Sequence, residues 1–205
     1  ILTINFSKEL LEVNDKDEDK MIESIIYTLT SIEGIDKVII KVEGEILNKL
    51  PNSKTNVPTV LDKSYGINKS YDLSNLNDIL SYTTYYTSTY NDTKYYVPVT
   101  KYINSKDSDV VKIIIKELGS SPIYQTNLMS YLNANTVLND YELDNNKLKL
   151  NFNELLLNDL DKKNILEEVI YTISLSMNNV YDNLESVSFL VNNEEIYTIN
   201  INDIK

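Results

Sequence analysis

The sequence predicts an α+β protein made of tandem two-layer domains, each with a small mixed or antiparallel sheet and two helices packed on one face. The first observation is an internal repeat: Leu2-Thr3-Ile4-Asn5-Phe6 recurs as Leu148-Lys149-Leu150-Asn151-Phe152, and Ile26-Tyr27-Thr28 recurs as Ile170-Tyr171-Thr172. The second is that both copies place a helical apolar pattern between these anchors and a β-rich segment after them. The third is length, because 205 residues accommodate two small domains.

The first copy predicts a strand, a helix and a strand pair. Residues 2–6 alternate apolar and polar side chains, as a half-buried strand does. Residues 35–42 predict a second strand, and Glu43-Gly44 predicts a tight turn into a third. The helix between them is predicted from a stripe at helical spacing, which ends at Gly34. The stripe consists of Met21, Ile22, Ile25, Ile26, Leu29 and Ile32.

An acidic run precedes this helix at residues 14–20 and is predicted to be solvated. Its carboxylates suit the positive end of a helix dipole. Calcium is the alternative, but the run lacks the glycine and the bidentate glutamate of an EF-hand loop. The acidic members are Asp15, Asp17, Glu18 and Asp19.

Residues 48–77 predict an extended linker that packs on the domains. Pro51, Pro58 and Gly66, with many asparagines and serines, interrupt regular structure there. The stretch is long for an ordinary loop, which favours a segment lying on a domain surface.

The second domain is predicted to begin with a β-hairpin. Residues 79–90 and 94–103 are rich in Tyr, Thr and Val, and Asn91-Asp92-Thr93 is turn material between them. Pro98 is expected at an edge or bulge, because it cannot donate to a strand ladder.

A helix is predicted next, capped by Asp107 or Ser108 and stopped by Gly119 and then Pro122. Its buried side comprises Val110, Val111, Ile114 and Leu118. A short helical or turn segment is predicted at residues 127–132.

Two strand pairs and a long helix complete the second domain. Residues 136–143 and 147–152 predict strands around Asp144-Asn145-Asn146, and residues 186–191 and 195–201 predict a hairpin over Asn192-Asn193. The helix is marked by Leu166, Val169, Ile170, Ile173 and Met177. The order is therefore β-β-α-β-β-α-β-β.

The first copy contains no counterpart of residues 78–145. A sheet edge and an apolar helix face of the first copy are therefore predicted to be bare unless upstream strands or another chain cover them.

Composition excludes several functions. The formal net charge is −12 and arginine is absent, so no basic face for nucleic acid or an anionic membrane is predicted. Cysteine and histidine are absent, which removes thiolate chemistry and the commonest general base and transition-metal ligand. No cofactor, metal site or catalytic residue is predicted, and no apolar run approaches the length of a membrane span.

Tyrosines of the hairpin are the candidate interaction surface. Tyrosine is enriched at protein interfaces because its ring is apolar and its hydroxyl polar. The alternative is that these side chains pack on the sheet. The six residues are Tyr82, Tyr85, Tyr86, Tyr90, Tyr95 and Tyr96. Tyr27 and Tyr171, at equivalent helix positions, are predicted to pack in the core with hydrogen-bonded hydroxyls.

Several segments, taken in order, resemble the GerM sporulation and spore-germination domain family. Residues 78–200 carry the closest resemblance, and residues 2–47 are similar to the second half of another copy. Residues 61–68 resemble the segment that follows the first copy in tandem GerM proteins. The motifs are Val97-Pro98-Val99-Thr100, Glu117-Leu118-Gly119-Ser120-Ser121-Pro122 with two residues inserted before the proline, and Leu128-Met129-Ser130-Tyr131-Leu132.

The resemblance implies a domain division. Residues 1–47 would be the C-terminal half of a first GerM-like domain, residues 48–77 the linker, and residues 78–205 a complete second domain. It also implies a likeness to ring-building motifs, and a lipoprotein anchored in a membrane upstream of these residues.

The resemblance further implies a non-enzymatic role outside the cytoplasm, in the space between mother cell and forespore. Partners would be channel proteins, SpoIIQ-like or SpoIIIA-type ring components, or further copies in a homo-oligomer. The residues themselves leave two rivals open: a glycan- or peptide-binding cell-wall module using the tyrosine hairpin, and an enzyme using carboxylates alone.

Overall fold

The chain forms two compact units, Ile1–Lys69 and Ser70–Lys205. The computed structural model describes residues 1–120, 127–159, 161, 163–181 and 183–204. The boundary between the units falls inside the predicted linker, residues 48–77, whose first part belongs to the first unit and whose last part to the second.

The first unit is a βαβ crossover with a short third strand. Its elements are β1 (Leu2–Phe6), α1 (Glu18–Leu29), β2 (Val38–Val42) and β3 (Glu45–Ile46). Strand β1 is parallel to β2, and β3 is antiparallel to β2. The helix ends at Leu29, before the predicted end at Gly34, and Ile32 is 51% exposed. Ile32 therefore matched the helical spacing without belonging to the buried stripe.

The apolar face of α1 is covered by this chain itself. Ile22 and Ile26 have no exposed surface and form one core with Leu50, Val57 and Leu61 from the segment after β3. Val38 and Leu61 exchange backbone hydrogen bonds of 2.7 and 2.9 Å, which fix that segment beside β2. The prediction of a bare helix face is wrong, because burying this stripe removes apolar surface from water without a second chain.

The acidic run does more than solvate the start of α1. Glu18 is buried, and its carboxylate accepts hydrogen bonds from the backbone amides of Asn52 at 3.0 Å and Ser53 at 2.7 Å. The side-chain amide of Asn52 donates to the same carboxylate, also at 3.0 Å. The prediction that residues 14–20 are wholly solvated is therefore wrong at Glu18, which holds the turn at residues 51–53.

Acid is expected to weaken the first unit through Glu18. Burial acts to raise the pKa of this carboxyl, but the donors of Ser53 and Asn52 outweigh it and hold the pKa below its usual 4.5. Since the folded-state pKa is the lower one, the stabilisation is present above the unfolded pKa and is lost as pH falls through the folded pKa. Urea unfolding between about pH 7 and pH 3 should show a steeper acid loss for wild type than for Glu18→Gln.

Glu23 supplies the control of opposite sign. Burial raises the pKa of its carboxyl despite the amide of Asn68 and the ammonium of Lys69. Its contribution to stability is therefore lost as pH rises through the folded pKa. Glu23→Gln should accordingly change the dependence of unfolding free energy on pH in the sense opposite to Glu18→Gln. If the unfolding free energy of wild type and of Glu18→Gln depended on pH identically, the proposed stabilisation by the Glu18 carboxylate would be contradicted.

The second unit has seven strands and two helices among its described residues, in the predicted order with one added short strand. The elements are β4 (Ser70–Asp72), β5 (Ile79–Tyr90), β6 (Thr93–Asn104), α2 (Val110–Gly119), β7 (Leu138–Asp144), β8 (Lys147–Phe152), α3 (Glu167–Val180), β9 (Ser186–Val191) and β10 (Glu194–Asn200). One sheet has the order β4-β6-β5 and the other β10-β9-β8-β7. The β-β-α-β-β-α-β-β order and the α+β class are confirmed.

Asparagines make the predicted turns of the second sheet. Asn145, Asn146, Asn192 and Asn193 have φ between 48° and 69°, the left-handed region that asparagine tolerates. Pro98 is opposite Tyr85 in β5 and lies outside the segment Lys101–Ile103 that pairs with β4. It therefore occupies the position in the sheet that its missing N–H requires.

Two local predictions for the second unit need correction. The cap of α2 is Asp109, whose carboxylate accepts from the amide of Lys112 at 3.1 Å, rather than Asp107 or Ser108. Asp107 instead accepts from the amide of Asp109. At residues 127–132 Met129 forms a bridge with Thr87 in place of a helical turn. The predicted stop at Pro122 lies outside the described residues.

The internal repeat extends to the register of the strands. Leu2 is opposite Val38 in the first unit, and Leu148 is opposite Val187 in the second. The repeated asparagine acts alike in both units: Asn5 Oδ1 accepts from the amide of Gly44 at 2.8 Å, and Asn151 Oδ1 from the amide of Asn193 at 2.9 Å. Each asparagine fastens the turn that follows the second strand of its repeat.

Candidate interaction surface

The register of the hairpin divides the six candidate tyrosines between its two faces. Residues directly opposite each other in an antiparallel pair share a face. Tyr82, Tyr86 and Tyr90 lie on one face together with Tyr95, which is opposite Ser88. Tyr85 and Tyr96 lie on the other face.

Tyr82 and Tyr86, on the same face toward the base of the hairpin, belong to the core. The hydroxyl of Tyr86 donates to Glu117 Oε1 on α2 at 2.9 Å, and the ammonium of Lys101 on β6 pairs with the same oxygen. Burial and the charge of Glu117 raise the pKa of both Tyr82 and Tyr86. These contacts tie the base of the hairpin to α2.

Glu117 was not predicted from the sequence, although one signal was present. It follows Ile114 by three residues and precedes Leu118, so helical spacing places a carboxylate beside the buried side of α2. A charged residue at that position needs partners, and Lys101 and the tyrosines provide them.

The other face of the hairpin is occupied by α3. The ring of Tyr96 lies 5.3 Å from the ring of Tyr171, and burial raises the pKa of Tyr96 to about 12. The backbone amide of Tyr85 donates to Ser176 Oγ at 2.9 Å. Ser174 and Ser176 are fully buried, and such small side chains let a strand backbone approach a helix closely. The edge of β5 is thereby partly covered.

The remaining tyrosines are exposed at the end of the hairpin. Tyr90 is 69% exposed and Tyr95 is 47% exposed. We call these two residues the tip tyrosines. Lys94, next to Tyr95, forms a 2.6 Å ion pair with Glu168 on α3, which holds this end of the hairpin against the helix. The structure therefore presents two apolar rings on a strand pair that is fixed at both ends.

The prediction of a core position with a hydrogen-bonded hydroxyl is confirmed for Tyr27, and for Tyr171 the structure bears out the packing alone. Tyr27 is buried and its hydroxyl donates to the carbonyl of Lys63 at 3.3 Å. Tyr171 is partly buried against Tyr96 and the core of the second unit.

Metal and membrane features give no further candidate within the described ranges. Over those residues, no group of three or more acidic side chains is arranged to hold a metal ion. None of the described helices is long and apolar enough to cross a membrane.

Comparison with models of protein families shows to which family this chain belongs. The model of the Germane family, described as sporulation and spore germination, matches residues 1–48 and 83–197. The chain belongs to the Germane family. Within this Germane chain, the first match covers the β1-α1-β2-β3 repeat, and the second covers most of β5 through β10.

A curated protein and a solved structure agree with this assignment. The Germane chain is 30% identical over 194 residues to the spore germination protein GerM of Bacillus subtilis, covering 92% of this chain and 52% of that protein. It therefore spans about half the length of that relative. It also matches the tandem GerMN domains of the sporulation protein GerM from Bacillus subtilis with a TM-score of 0.86 and 28% identity, over 98% of this chain and 70% of that one.

Proposed function

We propose that this Germane chain is a non-catalytic assembly module that acts outside the cytoplasm during sporulation or germination. The observation that carries the proposal is the pair of exposed tip tyrosines on a hairpin held to α2 and α3. Tyrosine supplies a large contact area, with a polar hydroxyl, at low cost in side-chain entropy. Membership in a sporulation and spore germination family supports the biological setting.

The partners we propose are proteins of the channel between mother cell and forespore, of the SpoIIQ-like or SpoIIIA-type ring class, with homo-oligomers as the alternative assembly. The charge of −12 favours protein partners over nucleic acid or an anionic membrane surface. A lipoprotein anchor upstream of these residues and a ring-building-motif likeness of the two-layer domains complete the proposal.

The test is affinity capture from membranes of sporulating cells, with bound proteins identified by mass spectrometry. Wild type is expected to recover channel components, and Tyr90→Ala/Tyr95→Ala should reduce recovery by about tenfold, as loss of about 1.4 kcal/mol would. Tyr197→Ala is the matched control, because Tyr197 is 45% exposed on β10, which belongs to the other sheet of the second unit.

Three outcomes would contradict the proposal. Equal losses of recovered partner for the double variant and the Tyr197 control would show that binding does not depend on the tip tyrosines. Recovery of cell-wall fragments without channel proteins would favour the glycan- or peptide-binding alternative. Hydrolysis of a wall polymer by the purified chain would make it an enzyme.

A further inference from the structure

A cavity of about 600 Å³ lies at the base of the hairpin in the second unit. Residues around β4, the end of β6 and α2 line it. It is at the opposite end of β5 from the tip tyrosines: Tyr82 borders the cavity, and Tyr90 follows eight residues later, about 26 Å along an extended strand. The cavity is thus distinct from the surface proposed above.

One side of the cavity is a fixed polar surface. Tyr82 is buried, burial and the charge of Glu117 raise its pKa, and both residues line the cavity. Glu117 is already neutralised by Lys101 and accepts from Tyr86. This surface therefore offers oriented polar groups without an uncompensated charge.

The charges of the other walls are of both signs. Asp72 lies on β4, and Lys112 and Lys116 lie on successive turns of α2. Lys112 is paired with Asp109 at 3.3 Å. Within the part of the chain that the structure describes, Asp72, Asp107 and Lys116 have no ion pair, and the carboxylate of Asp107 accepts a hydrogen bond from the backbone amide of Asp109 at 3.0 Å. A free carboxylate and a free ammonium therefore border one cavity from different elements.

Hydroxyl groups add hydrogen-bonding capacity around these charges. Ser74, Ser105 and Ser120 line the cavity. Their hydroxyls already donate to Asn104 Oδ1 and to the carbonyls of Asp107 and Glu117, so what they offer a ligand is the remaining acceptor capacity of their oxygens. Asn104 is not free for a ligand, because it binds the loop after β4: its Oδ1 accepts from the amide of Ser74 at 2.7 Å and its Nδ2 donates to the carbonyl of Asn77 at 2.6 Å. That loop is thereby held in position as a wall.

We propose that this cavity binds a small zwitterion, a free amino acid or a dipeptide, with its carboxylate at Lys116 and its ammonium at Asp72. The volume lies within the range of about 300–1,000 Å³ that small-molecule sites occupy. A ligand with one charge of each sign complements Lys116 and Asp72, whose carboxylate accepts no hydrogen bond from the described residues. A phosphorylated ligand would meet Asp72 and Asp107, and a polycation would meet Lys112 and Lys116, so neither class fits.

The test is titration of the purified full chain with a panel of free amino acids and dipeptides, followed by two-dimensional ¹H–¹⁵N NMR. At least one zwitterion should shift amide signals of residues lining the cavity. Its derivative acetylated at the amine and amidated at the carboxyl should bind about tenfold more weakly or worse. Asp72→Asn and Lys116→Gln should each weaken the zwitterion to a similar degree.

Matched controls are Asp36→Asn and Lys37→Gln, exposed charges of the first unit that the cavity does not include. They should leave binding unchanged. Absence of a response to the whole panel would overturn the proposal, as would equal binding of the doubly capped derivative. Equal weakening by the control variants would also overturn it, because the effect would then be one of overall charge.

Discussion

Phe189→Ala is expected to lower the free energy of unfolding of the second unit by about 3–5 kcal/mol. Phe189 has no exposed surface and stacks on Phe152 with ring centroids 6.4 Å apart. Both rings lie in the core cluster that joins the hairpin, α2, α3 and the β8-β9 pair. Removing one leaves a cavity that close-packed neighbours fill incompletely. Urea unfolding followed by circular dichroism measures the loss.

The control for Phe189 is Leu143→Ala on β7, where the side chain is 44% exposed and the expected change is within about 0.5 kcal/mol. Hydrogen exchange resolved by peptide mass spectrometry then locates the effect. Because each unit has its own core cluster, protection should fall in residues 70–205 more than in residues 1–69. An equal fall in both units, or a loss no larger than that of Leu143→Ala, would contradict the assignment.

Glu117→Leu is expected to cost the second unit about 2–3 kcal/mol. The substitution leaves the ammonium of Lys101 without its counter-charge and the hydroxyl of Tyr86 without its acceptor. The side chains of Lys101 and Glu117 are each 19% exposed, so remaining contact with water places the loss below that of a fully buried pair. Urea unfolding of the variant measures it.

The double variant Lys101→Met/Glu117→Leu tests the pair directly. Replacing both charges removes the stranded ammonium, so the double variant should be more stable than Glu117→Leu alone. In Glu117→Gln, the pKa of Tyr82 and Tyr86 should fall, because the carboxylate charge that raises it is gone. Spectrophotometric titration of tyrosine detects that shift. A double variant less stable than the single one would refute the coupling.

Much of the fold could be predicted because local patterns and the repeat agree. Alternation along residues 2–6 and 147–152, the apolar stripe from Leu166 to Met177 and the asparagine turns are each set by short-range periodicity and backbone preference. The errors had two causes: a distant segment, with Leu50, Val57 and Leu61, covers the face of α1 that was predicted to be bare, and local rules do not choose between adjacent residues. Asp109 was missed as the cap of α2 because three neighbouring polar residues satisfied the same rule, and only the backbone geometry selects one of them.

Of the candidate surface, the sequence supplied the tyrosine cluster but not its division. Alternation could place Tyr82, Tyr86 and Tyr90 on one face, yet it could not show that Glu117 reaches the first two while the third stays exposed. The cavity beside Tyr82 was equally hidden, because Asp72 and Lys116 are 44 positions apart and meet one cavity through the pairing of β4 with β6.

By itself the sequence determined the order of elements, the repeated half-domain and the family to which this chain belongs, because these depend on local spacing and on the order of short motifs. The tertiary structure decided how the first unit closes its core with residues 47–61, which carboxylates are buried, and which tyrosines face water. Those properties depend on contacts between residues far apart in the chain. Such contacts stabilise the protein only when the packed tertiary structure has brought the residues together.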